Sequence, residues 1–236
     1  MPEQSHPAEL PSPSRAEADR DRECGALIEA FQERLGRELA ALGVDADTLT
    51  ALRGRIRALA RELTDGDARP APDEPARVNR RYAAAVLAAH RVLSATSAPG
   101  VPGGPGLLEL LTTAFAEPFG PAITEGVRAL LDAAPDPFAA MVAVARTREE
   151  TDFGAEFTFT HPRDDDRGFF ADVVRCGYHD WLTERGAGEL TPVLCAFDGN
   201  WIRAIDPERH GFVFTRATTI GEGGTHCPFH FRRTTE

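Results

Sequence analysis

The apolar period of this chain changes once, near residue 153, and that change limits the folds open to it. Before it, apolar side chains recur at the 3.6-residue spacing of helices. Cys24, Leu27, Ile28, Phe31, Leu35, Leu39 and Leu42 form one stripe, which Gly43 ends. Leu49, Leu52, Ile56, Leu59 and Leu63 form a second, with Asp47 as its expected cap. Together they predict a helical hairpin over 21–63 that serves packing or a dimer surface. A linker over 64–77 and further helices over 78–148 follow. The last three run over 107–116, 121–133 and 137–147; Pro121 and Pro137 fit the first turns of the latter two, and Asp136 can cap the last. Residues 1–20, rich in Pro, Ser and charge, read as a disordered tail.

After residue 153 the period is two. In FGAEFTFTH, Phe157, Phe159 and His161 alternate with Glu156, Thr158 and Thr160. FFADVVRC, GFVFTRATT and THCPFHFRR give three more strands. GYHDWLTERG and TPVLCAFDGNWIRAI give two helices between the second and third, the latter with a Thr191 cap. The expected fold class is α+β: a helical N-terminal half packed on a small antiparallel sheet of β-β-α-α-β-β order, with 149–236 as the domain that carries the chemistry.

Charge excludes one class of partner. The formal net charge is −11, and all 26 basic residues are arginine. No nucleic acid is expected as a partner. There is no apolar run of membrane-spanning length and no basic, apolar leader, so no membrane partner is expected and the cytoplasm is the expected location. In that setting the four cysteines are free thiols, metal ligands or catalysts before they are disulfides.

Three cysteines lie in the C-terminal part. Cys176 follows a strand and opens a helix, where the positive helix end would favour thiolate. Cys195 and Asp198, three residues apart, share a helix face. On the last strand Cys227, Phe229 and Phe231 share one face and His226 and His230 the other. Three readings stay open. The thiols are buried small hydrophobes; or Cys176, Cys195 and Cys227 bind a metal together with a His, although spacings of 19 and 32 residues match no short ligand pair; or one thiolate is a nucleophile, with a His or Asp moving protons. No other cofactor is expected. Arg216 shares a face with Phe212 and Phe214 and needs a carboxylate, from the protein or from a substrate. Trp201, with Ile202 and Ile205, reads first as core. No Gly-x-Ser-x-Gly turn occurs, which argues against a serine triad.

The stretch from Arg175 to Arg233 resembles the L-2-amino-thiazoline-4-carboxylic acid hydrolase-like family. The resemblance lies in Cys-x-Tyr at Cys176 and Tyr178, Glu-Leu at 189–190, Cys-x-x-Asp at Cys195 and Asp198, Phe-x-Arg-x-x-Thr at 214–219, a Gly turn, and Cys-x-Phe-x-Phe at 227–231. It covers roughly residues 150–233 and departs from the family pattern at Pro228, where an aspartate is expected. It implies hydrolytic opening of a cyclic amidine-like ring on a small-molecule substrate. Cys176, Cys195, Asp198 and Cys227 are then the candidates for chemistry, and Arg216, Tyr178, His179, His230 and Trp201 those for holding substrate. Two alternatives use the same scaffold: a natural-product tailoring cyclase, isomerase or lyase, and a non-enzymatic metal- or ligand-binding protein. A homodimer through the N-terminal hairpin is left open.

Overall fold

The two N-terminal stripes close against their own chain in the computed structural model, which describes residues 13–234. Helix α1 (Pro13–Ala41) and helix α2 (Ala46–Asp65) turn at Gly43, whose φ of 90° suits glycine. The cap of α2 is Asp45, not Asp47: its carboxylate accepts the Thr48 N–H at 2.9 Å. Asp47 sits in the first turn, where its charge meets the positive helix end. Phe31, Leu35, Leu39, Leu52 and Ile56 are buried in one cluster with α3 (Glu74–Ser94) and α4 (Gly104–Ala116). Of the tail expected over 1–20, residues 1–12 lie outside the described residues and 13–20 belong to α1. Helix-forming Ala, Glu and Arg continue the helix there. Arg20 pairs with Glu74 at 2.6 Å, and Asp21 accepts from Arg77 and Arg81 at 2.8 Å, which ties this end to α3.

Helix α3 is the axle of the helical layer. Every residue from Ala83 to Ala89 is fully buried, because neighbours cover it on several sides. Alanine allows that close approach. Helices α5 (Gly120–Ala133) and α6 (Pro137–Arg148) follow, and Asp136 caps α6 by accepting the Ala139 N–H at 3.1 Å.

The alternation that begins at Phe153 does not start a strand there. Residues 149–153 make a π-turn and 154–156 a 3₁₀ turn. Tertiary bonds hold this bend. Asn79 of α3 donates to the carbonyls of Asp152 and Phe153 at 2.9 and 3.2 Å, and Asp73 accepts the Ala155 N–H at 2.6 Å. Gly154 has φ 68°, and a Cβ there would lie 2.6 Å from an Asp73 oxygen.

Strands β1 (Thr158–Asp165), β2 (Gly168–Arg175), β3 (Phe212–Thr215) and β4 (Cys227–Arg233) form one antiparallel sheet in the order β1-β2-β4-β3. Pro162 lies on the edge strand β1, within a register shift between Thr160 and Arg163, where a missing N–H is tolerated. Phe169 and Phe214 both pair with Phe231, and Val173 pairs with Cys227. The inner face, with Phe169, Ala171, Phe212 and Phe231, packs on Leu131 of α5, Phe138 and Met141 of α6, and Trp201. Helix α7 (Gly177–Thr183) and helix α8 (Thr191–Cys195) return to the helical layer and bury Trp181, Leu182, Val193 and Leu194 there. Apolar clusters thus cross the expected boundary at 148/149 in both directions.

The single helix expected over 191–205 is instead α8, a 3₁₀ turn at 196–198 and a short α9 (Gly199–Ile202). Gly199 and Asn200, weak helix formers, stand at the break. Thr191 does not cap α8: Leu190 holds that position, and the Thr191 hydroxyl donates to the Gly188 carbonyl at 2.8 Å. A short α10 (Pro207–His210) leads into β3. Among the described residues no helix is long and apolar enough to cross a membrane.

Candidate active site

The β2–α7 junction, the start of β4 and the α8–α9 break come together at one end of the sheet. Cys176 and Cys227 share a small buried cluster with Phe157 and Val173, and Phe153, Tyr178, Ile220 and Phe229 pack against it. Cys195 is close enough that its titration depends on the charges of Cys176, Asp198, Cys227 and Arg216. Six of the sequence-derived candidates therefore meet in one place: the three thiols, Tyr178, Asp198 and Arg216.

Asp198 is the hinge of the arrangement. One of its oxygens accepts from Arg216 Nη1 at 2.6 Å and the other from Trp201 Nε1 at 3.1 Å. Arg216, one residue past β3, also reaches the Cys195 carbonyl at 3.5 Å, and its guanidinium lies 5.2 Å from the Phe229 ring centre. The carboxylate that Arg216 needs is thus supplied by the protein. Trp201 is buried at 7 % exposure between Phe214, Phe229 and Phe231. It is core, and its N–H fixes Asp198.

The thiols differ in how readily they ionise. Cys176 holds the N-cap position of α7 without a side-chain cap hydrogen bond; burial pushes its thiol up to about 12, outweighing the lowering effect of the nearby His179 and Tyr178 backbone N–H groups. The expectation that the helix end would favour thiolate there is corrected. Such a thiol holds roughly one molecule in 10⁵ as thiolate near pH 7. Burial raises Cys195 too, and the charges of Cys176, Asp198 and Cys227 add to it. Cys227 is raised by burial as well, but its Sγ accepts the Ile220 N–H at 3.1 Å and Arg216 opposes the rise. Of the three it has the strongest local support for a negative sulfur.

These shifts fix the sign of a pH effect. The folded state holds its thiol protons more tightly than the unfolded chain, so the stability they contribute is complete below the unfolded value. It is lost as pH rises toward the folded values. Alkylation of the native protein by iodoacetamide should accelerate about tenfold per pH unit, with no plateau below the raised values. Peptide mapping should find Cys227 modified first. Faster labelling of Cys176 would reverse the assignment.

Two of the histidines are elsewhere. His230 lies on the outer face of β4, bonded to Asp172 at 2.7 Å and stacked on Phe170 at 4.1 Å, so strand parity removes it from Cys227. His226 faces the same carboxylate at 3.9 Å. Pro228 pairs with Asp172, so an aspartate at 228 would face Asp172 across the strands, on the side away from the thiols. The His179 imidazole turns to the Thr191 hydroxyl at 3.2 Å. Tyr178 stays with the cluster. Its O–H donates to Asn79 Oδ1 at 2.7 Å, and burial pushes its phenol far up.

Asn79, Asp172 and the Ile220 N–H were not among the sequence candidates. Asn79 had one signal, a lone amide in the apolar run of α3. A contact from Ile220, seven residues before Cys227, left none. No three His, Cys, Asp or Glu side chains among the described residues converge as a metal ligand set. What the cluster offers is a supported sulfur, an acid–cation pair beside it and an apolar enclosure.

A family model described as L-2-amino-thiazoline-4-carboxylic acid hydrolase matches residues 78–231, more than half of the chain. The match begins in α3 next to Asn79 and ends in β4, so it contains every group of the thiol cluster. The hairpin of α1 and α2 lies outside it. Neither the curated proteins nor the solved structures contain a match to the chain.

Proposed function

Because the chain belongs to the L-2-amino-thiazoline-4-carboxylic acid hydrolase family, we propose that it hydrolyses a small cyclic amidine carrying a carboxylate, of the aminothiazoline type, with Cys227 as nucleophile. The observation that carries the reading is the Cys227 sulfur itself. It receives the Ile220 N–H at 3.1 Å and has the Asp198–Arg216 pair as its charged neighbour.

The chemistry follows from those groups. The Cys227 sulfur bonds to the amidine carbon. The ring C–S bond breaks, and the departing sulfur takes the proton that Cys227 gave up. This leaves an isothiourea on Cys227. Water then adds to the same carbon, the Cys227 C–S bond breaks, and the thiol regains its proton. Net, one water is consumed, one substrate thiol is freed, and the amidine becomes a carbamoyl group. In this reading Asp198 relays the protons. Arg216 uses two of its five donors within the protein, toward Asp198 and the Cys195 carbonyl. The others are free to take the substrate carboxylate. Tyr178 and Asn79 fix the apolar wall.

The test is direct. Purified protein is incubated with 2-amino-thiazoline-4-carboxylate in ¹⁸O-water. The expected result is catalytic release of thiol, read with a disulfide reagent, and a product heavier by one water with the label in its carbamoyl group. No thiol above the no-enzyme rate would remove this substrate class.

A further inference from the structure

A groove of about 670 Å³, lined by none of the three thiols, lies between α1, the start of α5 and the end of α9. Arg34, Glu117, Thr124, Glu125, Arg128 and Arg203 supply its polar lining. Part of that charge is already spent. Arg34 pairs with Glu117 at 2.7 Å and with Glu38 at 2.6 Å. Arg203 donates at 2.6 Å to the amide oxygen of Asn200, a neutral partner. Arg128 and Glu125 have no ion-pair or hydrogen-bond partner among the described residues.

The groove is built around the Arg203 guanidinium. A Cβ on Gly199 would lie 3.0 Å from its Nη1, and a Cβ on Gly120 would lie 3.7 Å from its Nη2 and 2.9 Å from Asn200 Oδ1. Two glycines from two elements leave the space it occupies. Asn200 is fully buried, and its Nδ2 donates to the Ala116 carbonyl at 2.7 Å. Thr124 donates to the Asn200 carbonyl at 2.7 Å. The anchor of Arg203 is therefore rigid. Helix α5 also begins here with no side-chain cap, which adds positive potential at the same end.

We propose that this groove is a second ligand site, for a small zwitterion. Its carboxylate faces Arg128 and Arg203, and its cationic end faces Glu125. The unspent charges are two guanidiniums and one carboxylate, which a ligand with both signs satisfies and a simple anion does not. Arg34 comes from the hairpin, outside the residues that the family model matches. The groove also touches the segment that carries Trp201 and Asp198.

Calorimetric titration with γ-aminobutyrate, butyrate and butylamine tests the site without any reaction. The zwitterion should bind saturably, with each single-charge probe at least about tenfold weaker. Arg128→Gln and Glu125→Gln should each weaken the zwitterion by about tenfold or more. Both side chains are exposed, so the thermal midpoint should not move. Three results would overturn the proposal: no saturable heat at millimolar zwitterion, equal binding of butyrate, or unchanged binding in both variants. A lowered midpoint in both variants without zwitterion binding would mean that Glu125 and Arg128 serve the fold alone, and would overturn the proposal as well.

Discussion

Arg80→Met is expected to lower the unfolding free energy by about 3–5 kcal/mol, because it breaks a buried ionic network from one side. The Arg80 side chain is 9 % exposed. Its Nε and Nη2 reach both oxygens of Glu156, at 3.2 and 2.5 Å, while Nη1 reaches the Arg69 carbonyl at 2.6 Å and Asp67 at 3.2 Å. Asp67 also accepts from Trp181 Nε1 at 2.9 Å and from Arg185 at 2.8 Å, and Arg185 lies 3.7 Å over the Trp181 ring. One guanidinium thus joins the linker, α3 and the 3₁₀ turn, and Asp67 extends the network to α7. Methionine would fill much of the volume but leave Glu156 buried without its cation. Urea unfolding should show the midpoint fall with little change in slope. The double variant Arg80→Met, Glu156→Leu should recover more than half of the loss, since removing both charges removes the orphan. If the double variant is no better than the single one, packing and not charge is the source.

The same network sets an acid limit. Burial pushes the Asp67 carboxyl up, but the Trp181 and Arg69 N–H groups and the Arg185 and Arg80 guanidiniums outweigh it and hold it below its ordinary value. A depressed carboxyl stabilises the fold above its unfolded value, and that stability is lost as pH falls through the folded one. The difference between wild type and Arg80→Met should therefore shrink below about pH 4.

What the sequence made legible, and what it hid, divides along local and non-local physics. The period change located β2 and β4 to within a residue or two, because alternation is a local property. The same parity puts Cys227 and His230 on opposite faces, and β4 keeps them there. Asp67 was hidden: in TDGDARPAPDEPAR it looks like any linker acid, and only the fold surrounds it with Trp181, Arg80 and Arg185. The bend at 149–156 was hidden for a similar reason. Asn79 and Asp73 bond its backbone from α3 and its cap, and those contacts override the strand pattern of Phe153–Phe157. Cys176 shows a competition that sequence cannot weigh. Its place at a helix start is readable, but the burial that reverses the effect is not. The hairpin stripes were legible, and their covering by α3 and α4 required the fold.

Cys227→Ser should cost about 10³-fold or more in kcat/KM against an aminothiazoline carboxylate, the largest functional effect expected of any single change. Serine keeps the size of the side chain and can still accept the Ile220 N–H, so the fold should survive and the loss should lie in kcat. Cys176→Ser and Cys195→Ser should behave differently. Their thiols are held protonated by burial first; the charge of Cys227 adds to this at Cys176, and the charges of Cys176 and Asp198 add to it at Cys195. A resting thiolate at Cys176 would cost several kcal/mol near pH 7, at about 1.4 kcal/mol per pH unit below its titration point. Those variants should lose stability, about 1–3 kcal/mol for a hydroxyl placed in an apolar site, and keep turnover within about tenfold. Mass spectrometry of rapidly quenched wild type should find the isothiourea adduct on the peptide that carries Cys227. An adduct on Cys195, or a Cys227→Ser enzyme at near-full rate, would move the nucleophile off β4. Asp198 and Arg216 would then act on a water or on Cys195, the thiol three residues before Asp198 on the same face.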